Sequence, residues 1–219
     1  MKIIEALLNL IFPPTCAICG AYGDEIFCQK CAERIKYTGR AAEKFPGEFS
    51  FDSARSIVVY EGPIKEAIHK LKFRNKKALA DPLIELVTIY LDKNCRAFDD
   101  AQLVLPVPLF GSREKGRGYN QSVFFANAVS GYLNIELNEN VLVRVRNTKP
   151  QFELKRPDRF ANVKDAFEIA NGEIVKGKNI VLVDDILTTG ATASECAKVL
   201  KSAGAGKVSV LTLARAIED

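Results

Sequence analysis

The run from Ile180 to Thr192, IVLVDDILTTGAT, places two kinds of chemistry at one spot. Four apolar residues, Ile180 to Val183, read as a buried strand that ends in the adjacent carboxylates Asp184 and Asp185. Ionised carboxylates only accept hydrogen bonds, so the pair is complementary to vicinal sugar hydroxyls. Next comes a small, hydroxyl-rich turn, Thr188, Thr189, Gly190, Ala191 and Thr192, and then a helical pattern. The free N–H groups and dipole of a helix N-terminus favour an anion. Gly190 permits backbone angles that expose consecutive N–H groups, and the three threonines add hydroxyl donors. Acids for hydroxyls beside a cradle for phosphate describe a site for a phosphorylated sugar. A plain strand–turn–helix would also carry Asp and Thr caps. Two adjacent acids after an apolar strand, however, are costly unless something engages them.

A second constellation lies near the N-terminus. Cys16 and Cys19 form one Cys-x-x-Cys, followed by Gly20, and Cys28 and Cys31 form another. Two close thiolate pairs suit a tetrahedral zinc, and four cysteine ligands leave no open position, so such a metal is structural. Two disulfides or an iron–sulfur cluster are the alternatives. Cys95 and Cys196 stand alone, and Cys196 falls on the apolar face of its helix.

Elements must position these groups. Ser56–Tyr60, Leu103–Val107, Val141–Val145, Ile180–Asp184 and Val208–Leu213 read as strands. Helical spacing lies between most of them, near residues 64–74, 79–92, 120–133 and 192–203, the last opened by a Thr192/Glu195 capping box. Alternating βα units predict a mainly parallel sheet covered on both faces, with ligands at the carboxyl ends of its strands. Residues 1–50 read as an N-terminal helix and metal module, and 51–219 as the α/β domain.

Composition bounds the rest. The 219 residues are 47% apolar and 26% charged, ordinary for a globular chain. No apolar stretch reaches the ~18 residues of a transmembrane helix. The N-terminal IIEALLNLIFPP is broken by Glu5 and stopped by Pro13 and Pro14, so it reads as a short packing helix, with a membrane-surface contact as the alternative. Net charge is +4, but it is clustered in residues 65–77, 113–117 and 144–164. Clustering favours a polyanionic ligand; the alternative is three solvated faces that never meet. After the strand at 103–107, Arg113 and Arg117 can fork onto phosphate oxygens. The segment 144–167 is basic, polar and without regular pattern, which suits a mobile functional loop.

The 180–192 run resembles the phosphoribosyl-pyrophosphate (PRPP) motif of type I phosphoribosyltransferases. The resemblance implies that Asp184 and Asp185 contact ribose hydroxyls and that Thr188, Thr189, Gly190, Ala191 and Thr192 bind the 5′-phosphate. Val107, Pro108 and Leu109 would line the pyrophosphate loop, with Lys72 and Arg74 on the pyrophosphate side and Mg²⁺ bridging hydroxyls and pyrophosphate. The order of motifs, CAICG with a second Cys pair, KLKFR, LPVPL with RGYNQ, TKPQ and VLVDDILTTGAT, resembles the ComF (GntX) family of bacterial competence proteins over the whole chain. That implies a type I phosphoribosyltransferase fold with an N-terminal zinc module and a link to DNA uptake. It also implies a location in the cytoplasm or peripherally at the inner face of the cell membrane.

Two functions follow. One is an enzyme that transfers phosphoribose to a nitrogen nucleophile and releases pyrophosphate. The other is a non-catalytic nucleotide- or single-stranded-DNA-binding module, partnered by a DNA-uptake helicase. Phe73, Tyr119 and Phe152 lie among basic residues and suit base stacking. The acceptor and the oligomeric state are not encoded in any recognisable pattern.

Overall fold

The computed structural model describes residues 13–23, 25–39, 49–74, 76–149 and 154–217, with backbone alone at Arg156 and Pro157. The packing helix expected at the N-terminus, Gln151 and Phe152 lie outside these residues.

Five strands form one wholly parallel sheet in the order β1-β7-β6-β2-β3. They are β1 Ser53–Val59, β2 Leu103–Pro106, β3 Glu136–Leu137, β6 Ile180–Leu187 and β7 Val208–Arg215. A separate antiparallel ribbon joins β4 Leu142–Arg144 to β5 Phe167–Ile169. The expected strand at Val141–Val145 is therefore real but lies outside the sheet. Its valine-rich run fits either setting, and only its partner decides.

Parallel strands need covered crossovers, and helices supply them on both faces. α2 Gly62–Phe73, α3 Ala80–Asn94 and α5 Gln121–Leu133 cover one face. Against them point Val104, Val181, Val183, Leu211 and Leu213. The alternate residues, Leu103, Leu105, Ile180, Leu182, Val208 and Val210, meet α7 Ala191–Ser202 and the ribbon on the other face. Burial on both faces explains why Ile180–Val183 is apolar without a break.

Helix α2 shows how the pattern works. Pro63 sits in its first turn, where a missing N–H costs nothing. Ile64, Ala67, Ile68 and Leu71 then form the buried stripe at helical spacing. Two short helices depart from expectation: α4 Gly111–Arg117 and α6 Arg156–Val163 occupy stretches that read as loop. α4 has no buried residue and so shows no apolar period.

β2 leads outward to β3 on one side and β6 to β7 on the other, so the winding of the parallel sheet reverses between β2 and β6. That reversal opens a crevice at the strands' carboxyl ends, where ligands of such sheets bind. The N-terminal module, including the one-turn helix α1 Gln29–Ala32, packs Ala17, Ile18, Phe27 and Ile35 onto the α2/α3/α5 core. Residues 36–38 then run along the edge of β1: Thr38 N–H donates to Ile57 O and Val59 N–H to Lys36 O.

Leu182 lies at the centre of the sheet with no exposed surface. Leu182→Ala is expected to lose about 2–5 kcal/mol of stability, measured as a lower denaturant midpoint at unchanged m-value.

Candidate functional site

Strand β6 carries the acid doublet into the crevice. Asp184 and Asp185 lie inside the strand, which continues to Leu187. Successive residues point to opposite faces, so the two carboxylates take different partners. Asp184 Oδ1 accepts from Ser122 Oγ at 2.9 Å and from the Asp185 backbone N–H at 2.8 Å. Asp185 is buried, and its carboxylate is paired with Lys72 Nζ at 2.8 and 3.0 Å. Burial, with Asp185 beside it, pushes the Asp184 carboxyl up to about 7, against the opposing pull of Lys72, the Asp185 N–H and Ser122.

The turn after the strand has the expected shape. Gly190 takes φ +84° and forms the N-cap of α7. A side chain there would be doubly barred, by that angle and by Phe49 Cε1 lying 2.8 Å from where its Cβ would stand. Thr189 is buried, and its Oγ1 accepts from Ala191 N–H at 3.4 Å. Arg215 holds the carbonyls of Leu187 and Thr188. A Thr192/Glu195 capping box needs Thr192 as the N-cap, but the N-cap is Gly190, two residues earlier, and Glu195 accepts from Asp165 N–H at 2.9 Å.

The neighbouring strand end completes the crevice. Val107 N–H donates to Val183 O at 2.8 Å, and Val107 O accepts from Asn120 Nδ2 at 3.0 Å. Val107, Pro108 and Leu109 thus leave β2 beside the acids, with Val107 the most buried of the three. Asn120 also caps α5 by accepting from Ser122 N–H. Asn120, Gln121 and Ser122 form a buried polar run. Their signal in the sequence is a stretch of amides and a hydroxyl immediately before an apolar helix.

The basic residues divide. Lys72, in the last turn of α2, reaches the site but binds Asp185 rather than an open phosphate position. Arg117 donates to Gln121 Oε1, and its guanidinium lies 5.5 Å from the centre of the Phe73 ring. Burial pulls the Arg117 guanidinium below its ordinary value, while Asp185 and Asp184 act in the opposite sense. Arg113 donates to the carbonyl of Thr148, on the segment that follows β4. Arg74 is exposed at the end of α2, and no side-chain contact joins it to the acids. His69 is exposed and stacks on Phe73, outside the site.

The cysteine tetrad is brought together as the spacing implied. The four Sγ atoms lie within 4.8 Å of one another, with Cys16–Cys31 at 3.9 Å and Cys19–Cys28 at 3.7 Å. Sulfurs around tetrahedral zinc, each about 2.3 Å from the metal, stand about 3.8 Å apart. Disulfide sulfurs would stand about 2.05 Å apart, and all four cysteines are free. Gly20 turns the first knuckle with φ +74°. Burial and the surrounding thiols push Cys31 up to about 12, a crowding that metal binding relieves by taking every ligand as thiolate. Lys70 of α2 clasps this knuckle, donating to Ala17 O at 2.7 Å and Ile18 O at 3.2 Å.

Comparison with known families agrees with this geometry. Residues 103–219 match the model of the phosphoribosyl transferase domain, and residues 7–44 that of a double zinc ribbon domain. Competence protein F of Haemophilus influenzae is 31% identical over 87% of this chain and 85% of its own length. The chain belongs to the competence protein F family. Other relatives are the DNA utilization protein YhgH of Escherichia coli, 29% identical over 92% of this chain and 90% of its own, and competence protein ComFC of Bacillus subtilis, 31% identical over 74% and 63%. Among solved structures, the B. subtilis glutamine PRPP amidotransferase aligns over 67% of this chain and 30% of its own, with TM-score 0.46 and 18% identity. This family joins a type I phosphoribosyltransferase fold to an N-terminal zinc module, and the four-cysteine cluster is that module's structural zinc site. No described helix is long and apolar enough to cross a membrane.

Two outcomes follow. The Asp184 carboxyl is raised from 3.8 to about 7, so folding takes up a proton between those values and this group costs stability as pH rises through that window. Asp184→Asn is expected to melt above wild type at pH 8, by a margin that shrinks towards pH 5, in thermal scans without magnesium. For the knuckle, metal analysis of purified protein is expected to find about one zinc per chain. Cys31→Ser should abolish it; iron in its place would reject the assignment.

Proposed function

We propose that the crevice between β2 and β6 binds PRPP and that the protein transfers its phosphoribose to a nitrogen nucleophile. The observation that carries this reading is the placement of Asp184 and Asp185 directly before the Gly190 turn, at the reversal point of a parallel sheet. In this reading the 5′-phosphate sits on the N–H groups and hydroxyls of Thr188–Thr192. The ribose hydroxyls donate to the doublet, and the pyrophosphate lies along Val107–Leu109. Ser122 and Lys72 are positioning residues. Ser122 fixes one oxygen of Asp184, and Lys72 holds Asp185 in place while the crevice waits for ligand.

Carboxylate and phosphate oxygens suit Mg²⁺, which when bound neutralises charge developing on pyrophosphate. Among the described residues no third acid joins Asp184 and Asp185, so substrate and water oxygens would complete its shell. The nitrogen lone pair forms the C1–N bond as the C1–O bond to pyrophosphate breaks. The bonding electrons leave on pyrophosphate, and the proton of the attacking nitrogen passes to solvent. Arg117, within electrostatic reach of both acids, faces the leaving charge. The module is taken to extend to about residue 50, in a protein of the cytoplasm or of the inner face of the cell membrane.

A second reading rests on a separate observation. Phe73 is 55% exposed, with Arg117 over its ring, and Lys77 lies 5.1 Å from the centre of the Tyr119 ring. Such a basic, aromatic rim suits stacked bases of single-stranded DNA, and relatives are named for competence and DNA utilization. Here the protein would be a PRPP-responsive module beside a DNA-uptake helicase, without turnover.

Calorimetry with PRPP and Mg²⁺ is expected to give binding that weakens by at least about tenfold in Asp184→Asn/Asp185→Asn. No heat in wild type, or equal affinity in the double variant, defeats the reading. Pyrophosphate release against candidate nitrogen acceptors then separates catalyst from module. Salt-dependent binding to single-stranded DNA, competed by PRPP, would favour the second.

A further inference from the structure

Arg144 is the last residue of β4. Its Nε is buried and has no hydrogen-bond partner among the described residues. Its Nη2 donates to Thr148 Oγ1, and Arg113 donates to the carbonyl of the same threonine. One buried Thr148 thus ties together two guanidiniums, one from the helix after β2 and one from the ribbon. The Phe167 ring lies 5.1 Å from the Arg144 guanidinium and steadies it. No carboxylate pairs with either arginine among the described residues. Burial and the charge of Arg113 pull the Arg144 guanidinium below its ordinary value, and Asp184 is among the groups that partly restore it. A desolvated guanidinium with an open donor and a like-charged neighbour is an expensive arrangement. An oxyanion placed between the two would relieve it, since guanidinium forks match the oxygens of carboxylate and phosphate.

We propose that Arg144 and Arg113 form an oxyanion subsite, separate from the Thr188–Thr192 turn, that takes a carboxylate or phosphate group of the second molecule in the crevice. The inference rests on the phosphoribose reading above and narrows it: the acceptor is an anion, not a neutral base. Arg144 fixes where that anion sits, and Asp184 lies within its electrostatic reach on the sugar side.

The test uses full-length protein, zinc-loaded, with ribose 5-phosphate to fill the turn. Calorimetry then titrates nicotinate against nicotinamide, two rings that differ in one charge, with inorganic phosphate and pyrophosphate in parallel. The expected result is that nicotinate or phosphate binds at least about tenfold more tightly than nicotinamide, and that Arg144→Gln removes the difference. Which of the two anions is preferred separates carboxylate from phosphate. Arg144→Lys keeps the charge but loses the fork, and should recover only part of the affinity. Ribose 5-phosphate affinity should stay within about twofold in both variants, because the turn is a separate site. Binding of both nicotinate and phosphate no tighter than that of nicotinamide overturns the proposal. So does a variant that loses affinity for pyrophosphate alone, or one that loses ribose 5-phosphate to the same degree. If ribose 5-phosphate fails to bind wild type while nicotinate binds through Arg144, the phosphoribose reading falls and the anion subsite stands.

Discussion

Two carboxylates forced side by side within a buried strand are the constraint around which this molecule is arranged. Neighbouring like charges in a poorly solvated place are costly, and the structure offsets that cost unequally. Lys72 neutralises Asp185 directly. Asp184 receives hydrogen bonds but, among the described residues, no ion pair, and burial pushes its carboxyl up to about 7. The strand itself supplies this asymmetry, because adjacent residues leave it on opposite sides. A ligand that offers hydroxyl donors meets one acid already balanced and one whose charge depends on what arrives.

The surroundings make sense as support for that arrangement. Ser122 reaches Asp184 because Asn120 fixes the start of α5 and also grips Val107 O on the neighbouring strand end. One amide therefore ties both halves of the crevice together. On the other side, Arg215 holds the carbonyls of Leu187 and Thr188, so the turn's N–H groups are presented by a braced backbone. Phe49 closes over Gly190 and touches Phe51 and Phe160, which links the connector, the turn and α6 in one aromatic contact. Sites that must hold their geometry are supported in this way by partners that touch no substrate.

Much of this is legible in the sequence because its causes are local. The apolar run before Asp184, the helical spacing of Ile64, Ala67, Ile68 and Leu71, and the paired cysteines each announce their role within a few residues. Other features have causes that are not local. α4 escapes a period-based reading because it buries no residue, and α6 because its eight residues offer only Phe160 and Val163 as large apolar positions. Val141–Val145 looks like a sheet strand because a valine-rich run suits a ribbon and a sheet equally; the partner β5 decides between them. The charge of Lys72 suggests a phosphate ligand, but only the distance to Asp185 shows what it neutralises. Ser122 reads as an ordinary helix-start residue until its 2.9 Å contact with Asp184 is seen.

Helix α2 carries two lysines with unrelated duties, Lys70 on the cysteine knuckle and Lys72 on Asp185. On a helix, residues two apart point about 200° from each other, so the pair straddles the buried stripe. Inserting or deleting one residue between them would rotate the second by about 100° and detach it from its acid. The sequence Lys-Leu-Lys is therefore a measured span, with Leu71 anchoring its midpoint in the core. The spacing of two half-buried lysines in this protein is set by the separation of its cysteine knuckle from its paired acids.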